Sequence, residues 1–382
     1  MDKTRRLWIS RLIKGSGCAA LCTNHPLLTA IESSSEADIA IRNSAEYIMT
    51  YASPYATDAY KYCPHMHLEF KKNIEEMSSG RIYVDIKDKG ILGTGHELMA
   101  KVARGAISAG LVSVSNLTPA APELDILNIP FWSAKDQAYL NLVTSNTWKE
   151  LIIDRVKSQG KLDVLFHYLP GSRTASSTMK YGKVIRRPDE VKGTIFRIPN
   201  SKALKTFYEL AGASPVDVDW VSVASMAKHG RIQALDPSVI GLHNGPRGLR
   251  HHVGNISQIQ SVYDGWIAVV SQQWFNRLPL ELKLALKDAS EKTFREHLSS
   301  ISQVRANCTN SFEDLGASIY VPTHEEREEW IRRCGPNNET WTAIKRNILG
   351  DDKTFQKLVD ATKTNNGYSI TSLNNLEGYS YS

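Results

Sequence analysis

The 382-residue chain is 42% hydrophobic and 23% charged, an ordinary globular composition with length for two or three domain-sized units. Its net charge of +6 is concentrated at the start, where Lys3, Arg5, Arg6, Arg11 and Lys14 face only Asp2, leaving +2 for everything beyond His25. No concentrated basic face with stacking aromatics remains to bind nucleic acid, and no run of about 18 apolar residues could span a membrane.

Thr4-Arg5-Arg6-Leu7-Trp8-Ile9-Ser10 pairs two arginines with an apolar stretch, the pattern of a twin-arginine export signal, although Arg11 and Lys14 interrupt it. Residues 1–45 are therefore read as export signal and leader. The body alternates strands and helices. A strand over 46–51 is followed by a helix over 58–78, a strand over 81–86 and a helix over 97–104 whose Leu98, Met99 and Val102 face a core. Short apolar strands follow at 109–114 and 162–167. Such alternation predicts a parallel sheet covered by helices on both faces, and its restart after Gly171 predicts a second α/β domain. From Pro279 to Phe312, Leu282, Leu286, Ala289, Phe294, Leu298, Ile301 and Val304 recur at a helical period. About 30 residues at 1.5 Å each reach roughly 45 Å, enough to join two domains. From Gly367 the chain, rich in Asn, Ser, Gly and Tyr, reads as a flexible tail.

The chemistry concentrates in two arginines. Arg173 lies in Gly171-Ser172-Arg173-Thr174, and Arg197 in the short apolar strand Ile195-Phe196-Arg197-Ile198. A guanidinium among apolar residues keeps its charge, so burial calls for an anion, and its planar fork suits a carboxylate. An internal salt bridge or an exposed edge strand would also account for Arg197. No Gly-x-Ser-x-Gly, phosphate-binding loop or glycine-rich nucleotide turn is present, which leaves an α/β enzyme with little support. Cys63, Cys308 and Cys334 have no metal-ligand spacing, so neither metal nor cofactor is expected; Cys308 and Cys334 are read either as a disulfide or as buried thiols.

Several segments together resemble the DctP-type solute-binding proteins of tripartite (TRAP) transporters, over roughly residues 46–345. These are the helix-to-strand step from Phe70 to Ile82, the turn Gly90-Ile91-Leu92-Gly93-Thr94, and Asn128-Ile129-Pro130-Phe131. The run from Arg187 to Asn200, Leu210-Ala211-Gly212-Ala213-Ser214-Pro215-Val216, and Trp274 to Glu281 complete the set. The resemblance implies a two-lobed α/β fold of the periplasmic-binding-protein type, with the ligand cleft between lobes and a long helix bridging both. It divides the chain into lobe I (46–170 and 258–298), lobe II (171–257 and 299–366) and a tail (367–382).

It further implies a periplasmic receptor, with no catalytic activity, that binds a small organic acid and passes it to the small and large membrane subunits. A ligand sensor or a sequestering protein of the same fold is the alternative. Arg197 is carried over as the carboxylate clamp, Arg173 as a second cation, and Trp220 as an aromatic wall. Ser53, Tyr55, Ser113 and Asn116 are lobe I candidates on loops at strand ends. Ser222 stands where the family pattern has a glutamate. The pattern's Asp-Gly becomes Gln233-Ala234, and Pro237 replaces an amide, leaving Asp236 and Ser238 as substitutes.

Overall fold

The computed structural model describes residues 36, 38–57 and 66–373. The expected export signal, Cys63 and the first part of the helix expected over 58–78 lie outside the described residues. The short segment ending at Ser44 and the body from Ala45 onward form separate compact units, and the body carries the fold.

Eleven described strands make two sheets. Lobe I holds β1 (Tyr47–Ala52), β2 (Ile82–Lys87), β3 (Ala109–Ser113), β4 (Leu162–Tyr168) and β10 (Trp266–Ser271) in the order β2-β1-β3-β10-β4. Lobe II holds β5 (Ala175–Thr178), β6 (Ile195–Ile198), β7 (Ser214–Asp217), β8 (Ala234–Leu235), β9 (Val253–Ser257) and β11 (Ser318–Tyr320), ordered β11-β9-β5-β8-β6-β7. The sheets are mixed, not parallel throughout as the alternation predicts. β10 runs antiparallel to both β3 and β4, and β5 antiparallel to β8 and β9. β10 is reached on the return from the other lobe, so no helical crossover dictates its direction. All six of its residues are buried, as an interior strand covered on both faces requires.

The chain crosses between lobes at 169–174 and again at 258–265, and the 35-residue helix Leu280–Asp314 runs past both. Its buried positions, among them Leu282, Leu286, Phe294, Ile301, Val304 and Phe312, follow the predicted period. In its last third Arg305 holds both crossings. Nε donates to Pro170 O and Nη2 to Leu169 O, each at 2.9 Å, and Nη2 also reaches the Tyr263 hydroxyl at 2.9 Å. Asp136 pairs with the same guanidinium. Gly171 adopts φ +117, and a Cβ there would lie 3.1 Å from Arg305 Nε, so both the backbone and the close approach favour glycine.

The Asn128-containing motif has a structural role between the lobes. Asn128 Nδ2 donates to Asp125 Oδ1 at 2.9 Å. Asp125 in turn accepts from Ser201 Oγ at 2.5 Å and from Ala203 N at 3.0 Å, so a lobe I carboxylate caps the lobe II helix Lys202–Leu210.

Two expectations about the carboxyl-terminal part need correction. The division above places 299–366 in lobe II, but its end packs on lobe I. There Trp132 meets Phe355 with ring centroids 5.2 Å apart, and Asn141 Nδ2 donates to Thr362 O at 2.9 Å. Order along the chain does not decide which apolar surface a late helix covers. Nor is the start of the tail loose: Tyr368 packs on Phe294 and donates to Glu291, and Thr371 N donates to Leu298 O. Residues 374–382 lie outside the described residues. No disulfide joins Cys308 to Cys334, both of which are buried. Among the described residues, no helix is long and apolar enough to cross a membrane, and no cluster of His, Cys, Asp and Glu could hold a metal ion.

Candidate functional site

A cavity of about 110 Å³ lies between the sheets, with walls from both lobes. Lobe II supplies Arg197 from β6, a strand interior to its sheet and bonded to β7 and β8, so the edge-strand account of this arginine does not apply. Arg197 is 4% exposed. Its Nε and Nη2 donate to Val218 O at 3.0 and 2.8 Å, just beyond β7, and its guanidinium lies 5.1 Å from the Trp220 ring. Among the described residues no carboxylate lies within ion-pair distance of it. Burial pushes its pKa down to about 10, with Asp236 pulling the other way. A cation buried against a carbonyl and an aromatic face is an incomplete site for an anion.

Arg173 differs. It is 3% exposed, donates from Nη1 to Asp236 Oδ1 at 3.1 Å, and places Nη2 2.9 Å from Asp264 Oδ1. Burial opposes its charge, but the two aspartates outweigh burial and hold its pKa above the usual value. Burial drives Asp236 upward, against the pull of Arg173 and Arg197. Asp264 also accepts from Ser238 N and Oγ at 3.0 and 2.9 Å. The internal salt bridge considered for Arg197 is thus made by Arg173. Asp189, the acidic residue eight positions before Arg197, pairs with Arg333.

The other sequence candidates divide. Trp220 lines the cavity with its indole Nε1 buried, and Ser113 with its hydroxyl, neither with a hydrogen-bond partner among the described residues. Asn116 lines it beside Gly95, whose φ is +59 and where a Cβ would stand 3.4 Å from Asn116 Oδ1. Ser53, Tyr55, Asp236 and Ser222 are not lining residues. Ser53 is fully buried and accepts from Tyr55 N at 3.1 Å. Tyr55 packs behind the wall, 5.0 Å from the Trp266 ring. Asp236 sits behind Arg173, and Ser222 ends the short turn Trp220–Ser222. Strand-end loops point to a wall but do not say which of their side chains face it.

Sequence reasoning missed His96, Asp217, Asp219, Asp264 and Trp266, all of which line the cavity. His96 stands in the first turn of helix Gly95–Ala103, whose Thr94 makes no side-chain cap, and neither ring nitrogen has a partner among the described residues. The signal was the glycine turn ending at Thr94, two residues short of it. Asp217 lies within the electrostatic reach of both Arg197 and His96, although burial is the larger influence and raises its pKa.

Comparison with known proteins accords with this architecture. The chain is 21% identical to the C4-dicarboxylate-binding protein DctB of Bacillus subtilis over 270 residues, 70% of this chain and 75% of that one. It is 18% identical to the sialic acid-binding periplasmic protein SiaP of Vibrio cholerae over 256 residues, 67% and 78% of the two chains. The crystal structure of the sugar acid binding protein DctPAm from Advenella mimigardefordensis, in complex with galactonate, superposes with a TM-score of 0.73 at 17% identity, covering 83% of this chain and 97% of that one. The family model described as bacterial extracellular solute-binding protein, family 7, matches residues 59–342, and this chain belongs to that family, DctP.

Proposed function

We propose that the protein is the extracytoplasmic receptor of a TRAP transporter, binding a small organic acid in the inter-lobe cavity and presenting it to the small and large membrane subunits. The observation that carries this reading is Arg197, a buried guanidinium in the cleft with no carboxylate partner among the described residues. A ligand carboxylate completes it with charge-assisted hydrogen bonds, and the Trp220 face covers the pair. Ser113, Asn116 and His96 contact the ligand from lobe I, so binding stabilises the closed arrangement over an open one in which these contacts are lost. Ser53, Tyr55 and Ser222 act behind the wall, outside direct ligand contact. Export by way of Arg5 and Arg6 belongs to the same proposal. The family is one of solute-binding proteins, and no chemistry on the ligand enters this mechanism.

Calorimetry on Arg197→Lys with melting curves alongside tests the clamp. Lysine keeps the charge and loses the fork, so affinity for an organic acid found by thermal-shift screening should fall at least about tenfold at an unchanged melting temperature. Retained affinity would sink the assignment.

A further inference from the structure

The two arginines of the cleft are not equivalent, and the difference constrains the ligand. Arg173 is already matched by Asp236 and Asp264, and Asp264 is itself fixed by Ser238. That leaves Arg197 as the cation of the cleft without a carboxylate against it among the described residues. The lining residues include two arginines and three aspartates, and a fourth aspartate, Asp236, stands behind Arg173. Such a wall has room for one anionic group and resists a second.

The opposite side of the cavity has another character. Its lobe I wall is built from uncharged side chains and a histidine: Thr94, His96, Ser113, Asn116 and Trp266. The Ser113 hydroxyl, the Trp266 indole and both His96 nitrogens are buried without hydrogen-bond partners among the described residues. The uncapped first turn at Gly95–His96 would by itself attract an anion. Asp217 and Asp219 share this cavity from the lobe II side, and Asp217 interacts electrostatically with both Arg197 and His96, so negative charge already stands within reach of that turn as well as of the clamp. A second carboxylate placed there meets like charge. A hydroxyl or ammonium group can donate to Asp217 and, as a hydroxyl, accept from Ser113 or an indole N–H.

From this we infer that the ligand carries a single carboxylate, held by Arg197, and hydrogen-bond donors at its far end, read by Asp217 and His96; dicarboxylates are rejected. The inference rests on the organic-acid reading above and narrows it. It also separates this chain from the relative named for C4-dicarboxylates, to which it is 21% identical.

Matched acids that differ only at the far end provide the test. Titration calorimetry would compare 4-hydroxybutyrate and 4-aminobutyrate with succinate, and gluconate with glucarate for a longer chain. The donor-ended acid of at least one set should bind about tenfold or more tightly than its dicarboxylate counterpart. Asp217→Asn, an exposed position whose change should leave the melting temperature alone, should shrink that ratio to about threefold or less by admitting the dicarboxylate. Succinate or glucarate binding as tightly as its donor-ended match, with Arg197→Lys still weakening binding about tenfold or more, overturns this inference and leaves the organic-acid receptor standing. An unchanged ratio in Asp217→Asn also overturns the assignment of Asp217. Binding that is indifferent to Arg197, or no binding by any acid of the panel, overturns both.

Discussion

The two lobes line the cavity with opposite chemistry. Lobe II brings charge: Arg197, bonded to a carbonyl but to no carboxylate among the described residues, and Arg173 locked between Asp236 and Asp264. Lobe I brings neutral donors and a core of packed rings in two series of edge and tilted contacts, one of Tyr51, Phe70 and Phe166, the other of Tyr168, Tyr55 and Trp266. Its buried histidines, His67, His167 and His297, stay uncharged, since burial pushes their pKa values down to about 4, 3 and 3. The difference suits a clamp in which one lobe fixes the carboxylate by charge and the other reads shape and neutral groups. The charged lobe needs its ions pre-arranged, and a buried ion is tolerable only with partners already in place.

The comparison is broken most forcefully inside lobe II. Replacing Arg173 with Met leaves Asp236 and Asp264 buried without their cation, and should cost about 3–5 kcal/mol of stability in denaturant unfolding. Arg197→Met removes a cation that has no carboxylate at ion-pair distance among the described residues, and should cost less than about 1 kcal/mol while eliminating binding. Equal destabilisation by the two substitutions would erase the distinction between a structural and a ligand-facing arginine.

Acidification acts on lobe I through three buried histidines, and on lobe II through His243, whose pKa burial lowers to about 4. A histidine whose folded pKa is depressed contributes stability that is present above the unfolded value near 6.5 and is lost as pH falls toward the folded value, here about 3 for His297. His297 Nε2 also accepts from Leu169 N at 3.0 Å, a bond that only the neutral ring can accept, next to the first crossing between lobes. Between pH 6.5 and 4 each such histidine should remove up to about 1.4 kcal/mol per pH unit. Asp236 in lobe II, with its raised pKa, works in the opposite sense: the folded state holds its proton more readily, so its contribution improves as pH falls. Melting curves across this range should show a shallower acid loss in His297→Gln, which keeps an acceptor for Leu169 N. Parallel curves for the two proteins would remove His297 from this account.

The smallest effect sharpens the boundary of the site. Ser222 stands where the family pattern has a glutamate, yet it is not a lining residue of the cavity. Ser222→Ala should change ligand affinity by less than about 0.5 kcal/mol by calorimetry, in contrast to Arg197→Lys. A larger loss would extend the cleft beyond Trp220.

Local pattern carried a good deal of this protein. The apolar spacing after Pro279 specified a helix long enough to pass two lobes, because one buried stripe of period 3.6 leaves little else possible. The strands β1 to β4 appear within one or two residues of their predicted limits, and Arg197 announced itself as a charge inside an apolar strand. Tertiary structure decided what two-residue and two-lobe relations decide. The antiparallel insertion of β10 and the return of the last helices to lobe I depend on which apolar surface stood open, which no local spacing records. The same holds for the two arginines. Asp236 and Asp264 lie 63 and 91 positions from Arg173 in the chain, so only folding shows that its charge is already answered and that of Arg197 is not. His96 entered the cleft for a like reason: a helix start is legible from its turn, but which cavity it faces is set by the lobe packed opposite.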